Sequence, residues 1–522
     1  MSKIFSWPRG EAGFPRFKGF GGILKYEYGK DESKSGQTAL GGLPVYMDFA
    51  VSSGLLKLID ENLKICSGKQ GWRDREIVFS LILLNLVGGD SVRDIDKIEG
   101  DDGVCRIMRQ ALRAGLSRRE RREIDVRFRK ERKRTTPSES VIFRYLSKFH
   151  DKEQEKQRIG RTAFIPEATE NLKGLMKINT GLIGFEAVKP CEETATLDMD
   201  ATLSETSKKS ALYSYEGEKA YQPLNTYWHE RDVLLHTEFR DGNVPAGYEQ
   251  RRVLEEALRC LPQGVRKVRL RSDSAGYQHD LLRYCEAGEN KRFGRIEFAI
   301  SCDVTKAFRE AVMEVADWHP MYKEVNGERR ATGREYAEVC FVPNKLCHSK
   351  SAPAYRYLAT RQEIKDRELP GMERKEEELP FPTVMIRNSR YKIFGYVTNM
   401  DWSGDKLIKW VYGRCGKSEQ AHDAVKNDFA GGRFPSGDFG ENAAWWWVTV
   451  LAHNFNVLMK RMILGQSWIN KRMKAIRLGL IFIAGRVIER SRKVIIRISG
   501  GHPSWSLLIE ARRRIAQLAC AP

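Results

Sequence analysis

Apolar positions along this chain change their period as it proceeds, and the change divides it into regions. Up to about residue 185 the spacing is helical. The run REIVFSLILLNLV is apolar nearly all round and predicts a buried helix, stopped by Gly88-Gly89. Ser91 followed by Asp94 has the form of a capping box opening a short helix, with Val92, Ile95 and Ile98 inward. A helix, a glycine turn and a second helix fit either a helix-turn-helix or a plain helical hairpin. Further on, Thr136, Pro137 and Glu139 suit the N-cap, N1 and N3 positions of a helix whose inner face is Ile142, Phe143, Leu146 and Phe149.

From about residue 191 the period falls to two. TATLDMDATL places Thr194, Thr196, Asp198, Asp200 and Thr202 on one face and Ala195, Leu197, Met199, Ala201 and Leu203 on the other, which predicts a strand. TYWHE and VLLHTEFRDG read as further strands, followed by a helix over 248–261, the strand VRKVRLRSD and a helix over 277–287. That succession predicts a mixed α/β domain. Between 288 and 391 the strand-like runs IEFAISCDV, YAEVCFV, AYRYLAT and FPTVMIR, broken by charged loops, predict a β-rich insertion. KIFGYVTNM then returns to the first sheet. A helix in YGRCGKSEQAHDAVKND carries Glu419, and a helical C-terminal part includes the basic RKVIIRIS stretch. The expected division is a flexible basic arm (1–40), a helical region (41–190), a core in two parts (191–287 and 392–465) around the insertion (288–391), and a basic helical C-terminal region (466–522).

Charge narrows the partner. The net +20 is concentrated in two stretches: residues 106–134 carry +9 and residues 458–518 carry +12, leaving the remainder close to neutral. Segregated positive charge predicts a nucleic-acid footprint, against the alternative of solvated helix faces. Within the first stretch Arg118, Arg119, Arg121, Arg122, Arg129 and Arg132 are the candidate phosphate contacts. Ten cysteines without a CxxC pair argue against a disulfide framework or a zinc site and for a reducing cytosol. No apolar run approaches the ~20 residues that span a bilayer, so no membrane association and a cytoplasmic location are expected.

Three carboxylates then stand out. Asp200, with Asp198 two residues before it, lies on a predicted strand; Asp273 follows the strand VRL; Glu419 lies on a predicted helix. Ligand sites in open α/β sheets gather at strand C-termini, and carboxylates on strands are costly unless paired or bound to a cation. A solvated sheet face for the first pair and a turn-capping role for Asp273 remain the plain alternatives. Tyr412, Glu419 and Lys426 recur every seven residues, which on one continuous helix forms a single stripe of phosphate-binding and metal-binding groups. Trp228, Trp402 and Trp410 are candidates to stack on an extruded base, though tryptophan is more often core.

The motifs TLDMDAT, KAYQPLN, FRDGNVPAG, RSDSAGYQHDLLRYC, IEFAI, CGKSEQAHDAVKNDFAGG, FPSGDFG, NAAWW and LMKR resemble bacterial transposases of the insertion sequence 1380 group, from about residue 40 to the C-terminus. The resemblance implies a ribonuclease-H-like core interrupted by the β-rich insertion, with an Asp-Asp-Glu triad of Asp200, Asp273 and Glu419. Asp198 is the rival for the first position. It implies two Mg2+ ions per site, with Mn2+ as substitute, and double-stranded DNA as partner, both element ends and target. A homodimer or larger assembly in the synaptic complex is expected. Related transposases carry a tyrosine, arginine, glutamate and lysine on the last helix. Here Tyr412, Glu419 and Lys426 match, Cys415 stands where the arginine belongs, and Arg414 lies one residue early. The implied activity is cleavage of element ends and their joining to target DNA. The alternatives are an inactive DNA-binding derivative and a nuclease that cuts without joining.

Overall fold

The computed structural model describes residues 36–66, 71–130, 134–158, 162–186, 192–343, 355–364, 379–490 and 493–519, with the backbone alone at 126–130, 325 and 519. The expected arm lies almost wholly outside the described residues, as do Arg132 and the Arg129 side chain.

The period-two segments assemble into one ten-stranded sheet. In chain order its strands are β1 (Thr194–Ala201), β2 (Leu224–Trp228), β3 (Val233–Glu238), β4 (Lys267–Ser272), β5 (Glu297–Cys302), β6 (His319–Val325), β7 (Glu328–Val339), β8 (Arg356–Glu363), β9 (Thr383–Ile386) and β10 (Ser389–Thr398). The order across the sheet is β3-β2-β1-β4-β5-β10-β8-β7-β6, with β9 paired to β10. β1, β2 and β3 run antiparallel, β2 and β3 joined by a short turn and β1 and β2 by a longer excursion. The helices Gln250–Cys260 and His279–Ala287 provide the long crossovers that let β1, β4 and β5 run parallel. The strand Glu297–Cys302, from the segment expected to open the insertion, therefore lies inside the parallel part of the sheet.

Alternation assigns the two faces of that sheet different tasks. Ala195, Leu197 and Met199 of β1 join Val268 and Leu270 of β4, Phe298 and Ile300 of β5, and Val253, Leu254, Leu281 and Leu282 of the crossover helices in one buried cluster. Each such side chain contributes roughly 1.5–3 kcal/mol on burial. On the other face a smaller cluster holds the helix Gly404–Tyr412 through Leu407, Ile408 and Val411 against Ala299, Leu358 and Tyr396. Asp198 and Asp200 point to this second face.

A separate core joins the N-terminal helices to the C-terminal ones. The expected buried helix is present as Asp74–Val87, and it packs beside Phe439–Leu458, which is buried along nearly its whole length. Gly88, at φ 87°, ends the first of these in the left-handed conformation that glycine tolerates best. Ser91 and Asp94 form the capping box, and a 3-10 turn and the short helix Ile95–Glu99 follow with Val92, Ile95 and Ile98 buried, as expected. The helix with inner residues Ile142 and Leu146 runs Glu139–Leu146 and its N-cap is Ser138. Thr136, expected at that cap, is instead buried with its N–H and hydroxyl donating to Glu99 at 2.7 and 2.9 Å. The C-terminal region is also not purely helical. RKVIIRIS contributes the strand Lys493–Ile498, paired with Gly485–Arg490, which pairs in turn with Gln37–Thr38. Its β-branched Val494, Ile495, Ile496 and Ile498 favour extended backbone over helix. Among the described residues no helix is long and apolar enough to cross a membrane.

Candidate active site

In the parallel pair β1 and β4, Met199 stands opposite Ser272. The next residue along each, Asp200 and Asp273, thus comes to the same C-terminal edge of the sheet. Asp273 accepts from the Ala275 N–H at 3.1 Å through Oδ1 and caps the 3-10 turn Ser274–Gly276. The capping alternative is therefore real, and it engages one carboxylate oxygen. Asp200 Oδ2 accepts from Arg414 Nη1 at 3.0 Å, with side chains 14% and 13% exposed. Glu419 lies exposed in the first turn of the helix Lys417–Asp423. Burial, together with the like charges of Asp273 and Glu419, pushes Asp200 up to about 7 against the opposing pull of Arg414. A strand-end aspartate and a glutamate from a distant helix thus both act electrostatically on Asp200. They are not drawn to ligating distance: among the described residues, no group of three or more His, Cys, Asp and Glu is close enough to hold a metal ion.

A family model described as Transposase DDE domain group 1 matches residues 41–520. The chain belongs to that family. It is a DDE transposase, and the match spans both cores and the whole large sheet. Among curated proteins none matches the chain. Among solved structures, the cryo-EM structure of a piggyBac transposase synaptic complex with hairpin DNA is similar over 82% of this chain and 77% of that one, at 10% identity and a TM-score of 0.36.

Asp198 occupies a different setting from Asp200 on the same face. It is fully buried, and Arg271 grips both its oxygens, Nε to Oδ1 at 2.6 Å and Nη2 to Oδ2 at 2.8 Å. His229 Nδ1 stands 3.5 Å from Oδ2. Arg271 also donates to the Trp410 carbonyl at 2.5 Å and lies over the Trp410 ring at 4.9 Å. The backbone passes close by at Gly413, where a Cβ would stand 3.1 Å from Arg271 Nη1. Arg271 is a residue that the sequence reading passed over. The signal was present: VRLRSD alternates Arg269, Arg271 and Asp273 onto the face that carries Asp198.

The transposase's expected single stripe of Tyr412, Glu419 and Lys426 does not form, because YGRCGKSEQAHDAVKND is not one helix. The helix Gly404–Tyr412 ends at Tyr412, and Gly416 turns at φ 94° before Lys417–Asp423 begins. Ala424–Asp428 continues as a wider π turn. Tyr412 faces β7 and β10, with its hydroxyl 3.1 Å from that of Tyr396 and Arg334 over its ring at 5.3 Å. Lys426 does return to the site's edge, donating to the Leu203 carbonyl at 3.0 Å just beyond β1. Arg414, one residue early in sequence, is the group that reaches Asp200. His422, a turn after Glu419, is buried and held neutral, pushed down to about 3 by burial and by Lys426 and Arg414.

The two basic stretches also differ in use. Arg118, Arg119, Arg121 and Arg122 are exposed along the helix Arg118–Lys130. Several cations of the C-terminal stretch are instead engaged within the molecule. Arg472 bridges Asp423 and Asp428 at 2.5 and 2.7 Å, holding the Glu419 helix and its π turn. Arg477 donates to the carbonyls of Asn85, Leu86 and Asp428 at 2.9, 2.9 and 2.5 Å, tying the end of the helix Asp74–Val87 to the same turn. Arg461 and Arg512 pair with Asp232 and Asp48. Trp228 is buried, and Trp402 and Trp410 pack edge to face with centroids 5.6 Å apart under Arg269 and Arg271.

Proposed function

We propose that this DDE transposase is of the insertion sequence 1380 type, with a ribonuclease-H-like core. In this reading it binds the terminal inverted repeats of its element as double-stranded DNA, cleaves the ends and joins them to target DNA. The observation that carries it is the placing of Asp200 and Asp273 at adjacent ends of parallel strands, with the Glu419 charge beside them. The order β3-β2-β1-β4-β5, antiparallel then parallel, supports the assignment of the core.

The residues present fit divalent cations. The donors are carboxylate oxygens, which suit hard Mg2+ or Mn2+. Their mutual crowding, which helps to raise Asp200, is what a cation relieves. Two such ions, when bound, supply activation of the attacking oxygen and stabilisation of the leaving one. Asp200, Asp273 and Glu419 would hold them, with Asp200 deprotonated and Arg414 released from its oxygen. Arg414 then becomes available to a DNA phosphate, the contact that Cys415 cannot make. Lys426, which reaches the Leu203 carbonyl at that edge, would take a phosphate there, and Tyr412 a backbone contact on the β7 side. Arg118, Arg119, Arg121, Arg122, Arg129 and Arg132, with the helical region 41–190, grip flanking duplex through its backbone. A homodimer or larger assembly forms around the paired ends, in the cytoplasm.

The test is incubation with pre-cut end DNA, a target plasmid and Mg2+, scoring joined products. Joined products are expected. Cutting without joining replaces the reading by a nuclease, and binding without either reaction by a DNA-binding derivative.

A further inference from the structure

Four residues beyond Asp200 the chain leaves the sheet edge in a small hairpin. Ser204–Glu205 pairs with Ala220–Tyr221, and the chain then rejoins the sheet as β2, where Leu224 and Asn225 stand opposite Ala201 and Asp200. This loop presents Tyr213 at 63% and Tyr215 at 79% exposure, the latter the most exposed large hydrophobic side chain among the described residues. Ser214, between them, is buried, and Tyr215 stands in the turn at the tip.

The exposure comes from a fixed support. The Leu212 N–H donates to Asp241 at 2.8 Å, and Asp241 is buried in an ion pair with Arg158. Lys208 Nζ reaches the Pro435 carbonyl at 3.2 Å, and Ser210 donates to the Gly437 carbonyl. The tip is closed by Ser214 N–H to the Glu218 carbonyl at 2.8 Å. A ring held out on such a mooring loses little conformational freedom when something stacks on it.

Its position relates it to the candidate site. Partial desolvation, the neighbouring Glu216 and the Asp273 carboxylate together raise the Tyr215 phenol above its ordinary value, in keeping with that position. Glu216 and Glu218 follow Tyr215 closely, and Lys219 Nζ lies over the Tyr213 ring at 5.7 Å, so Tyr215 offers the more open of the two faces. The tryptophans that the sequence offered for stacking are buried or packed under arginines.

We propose that Tyr215, with Tyr213 beside it, forms a stacking surface for an unpaired nucleobase at the carboxylate edge, so that the transposase favours DNA opened next to the bond it acts on. Aromatic rings stack on any base, and the contact is tolerant of sequence. This inference rests on the reading of the site as a DNA site.

The test compares two probes in metal-free buffer: a blunt duplex of arbitrary sequence, about three helical turns long, and the same duplex with a short single-stranded end carrying 2-aminopurine at the junction. Wild type is expected to bind the open probe tighter by on the order of 10-fold, with quenched 2-aminopurine fluorescence. Tyr215→Ala should lose most of that preference and the quenching, Tyr215→Trp should keep both, and blunt-duplex affinity should stay the same in all three. Equal binding of both probes by wild type, or a preference unchanged in Tyr215→Ala, overturns the stacking surface and leaves the DNA reading intact. Failure of wild type to bind either probe overturns both.

Discussion

Two Asp–Arg pairs lie two residues apart on one face of β1, and they are built differently. Asp198–Arg271 is interior, bidentate and 0% and 1% exposed, with a histidine and a tryptophan ring closing it in. Asp200–Arg414 stands at the strand end, joined through a single contact at 3.0 Å, with two further carboxylates acting on it. The inner aspartate is charge-satisfied and has no oxygen left to offer. The outer one is held by one exchangeable cation and crowded by its neighbours. Depth along one strand thus separates a carboxylate committed within the fold from one left partly engaged at the sheet edge. It also favours Asp200 over Asp198 as the first member of the triad.

The largest expected effect breaks the outer pair's role. Asp200→Ala, Asp273→Ala and Glu419→Ala should each reduce strand cleavage by at least about a thousand-fold while duplex binding persists, since each removes a carboxylate of the proposed triad. Cleavage retained in any one of them removes that residue from the triad. The inner pair should answer to stability instead. Removing one partner of a buried ion pair strands the other charge and costs about 3–5 kcal/mol. Asp198→Ala and Arg271→Ala should therefore unfold at markedly lower denaturant, and the apolar double replacement Asp198→Leu with Arg271→Met should recover part of the loss. Unfolding midpoints unchanged in the single variants contradict the structural role.

A contrast between exposed and committed charge recurs in the basic stretches. Replacing Arg118, Arg119, Arg121 and Arg122 by glutamine should flatten the dependence of log affinity on log salt, by about 0.9 for each phosphate that is no longer neutralised. Arg472→Ala and Arg477→Ala should leave that slope alone and lower the melting temperature, because their partners are Asp423, Asp428 and helix carbonyls. An exchange of these two outcomes reverses the assignment.

The smallest effect concerns pH. Folded Asp200 keeps its proton to about 7, against an ordinary value of 3.8. A carboxyl raised in this way contributes stability below its unfolded value and loses it as pH rises through about 7. Asp200→Asn does not titrate, so in metal-free buffer it should melt roughly a few degrees above wild type at pH 8, the gap closing toward pH 4. A gap that widens on acidification contradicts the raised carboxyl.

Much of this is legible in the residues. The alternation in TATLDMDATL and VRKVRLRSD, with the helix signals between, puts Asp200 and Asp273 at element ends that the sheet then brings together. What period two does not contain is depth: Asp198 and Asp200 share a face, and only the cross-strand Arg271 tells them apart. The seven-residue stripe fails because it needs helix through Gly413 and Gly416, and Gly416 adopts a positive φ that ends it. RKVIIRIS lies in a region expected to be helical although its β-branched residues favour a strand, and partners as remote as Gln37 and Thr38 settle the outcome. The engagement of Arg472 and Arg477 is invisible in the sequence for the same reason, since net charge counts cations without naming their partners.

Mn2+ titration followed by electron paramagnetic resonance, on wild type, Asp200→Asn and Arg414→Ala, tests the central claim most directly. If Asp200 is the outer ligand and Arg414 its exchangeable counter-ion, Asp200→Asn should weaken Mn2+ binding by about 10-fold or more and Arg414→Ala should strengthen it, with wild-type affinity rising as pH passes through about 7. Wild-type affinity in Asp200→Asn, or weaker binding in Arg414→Ala, would contradict the account.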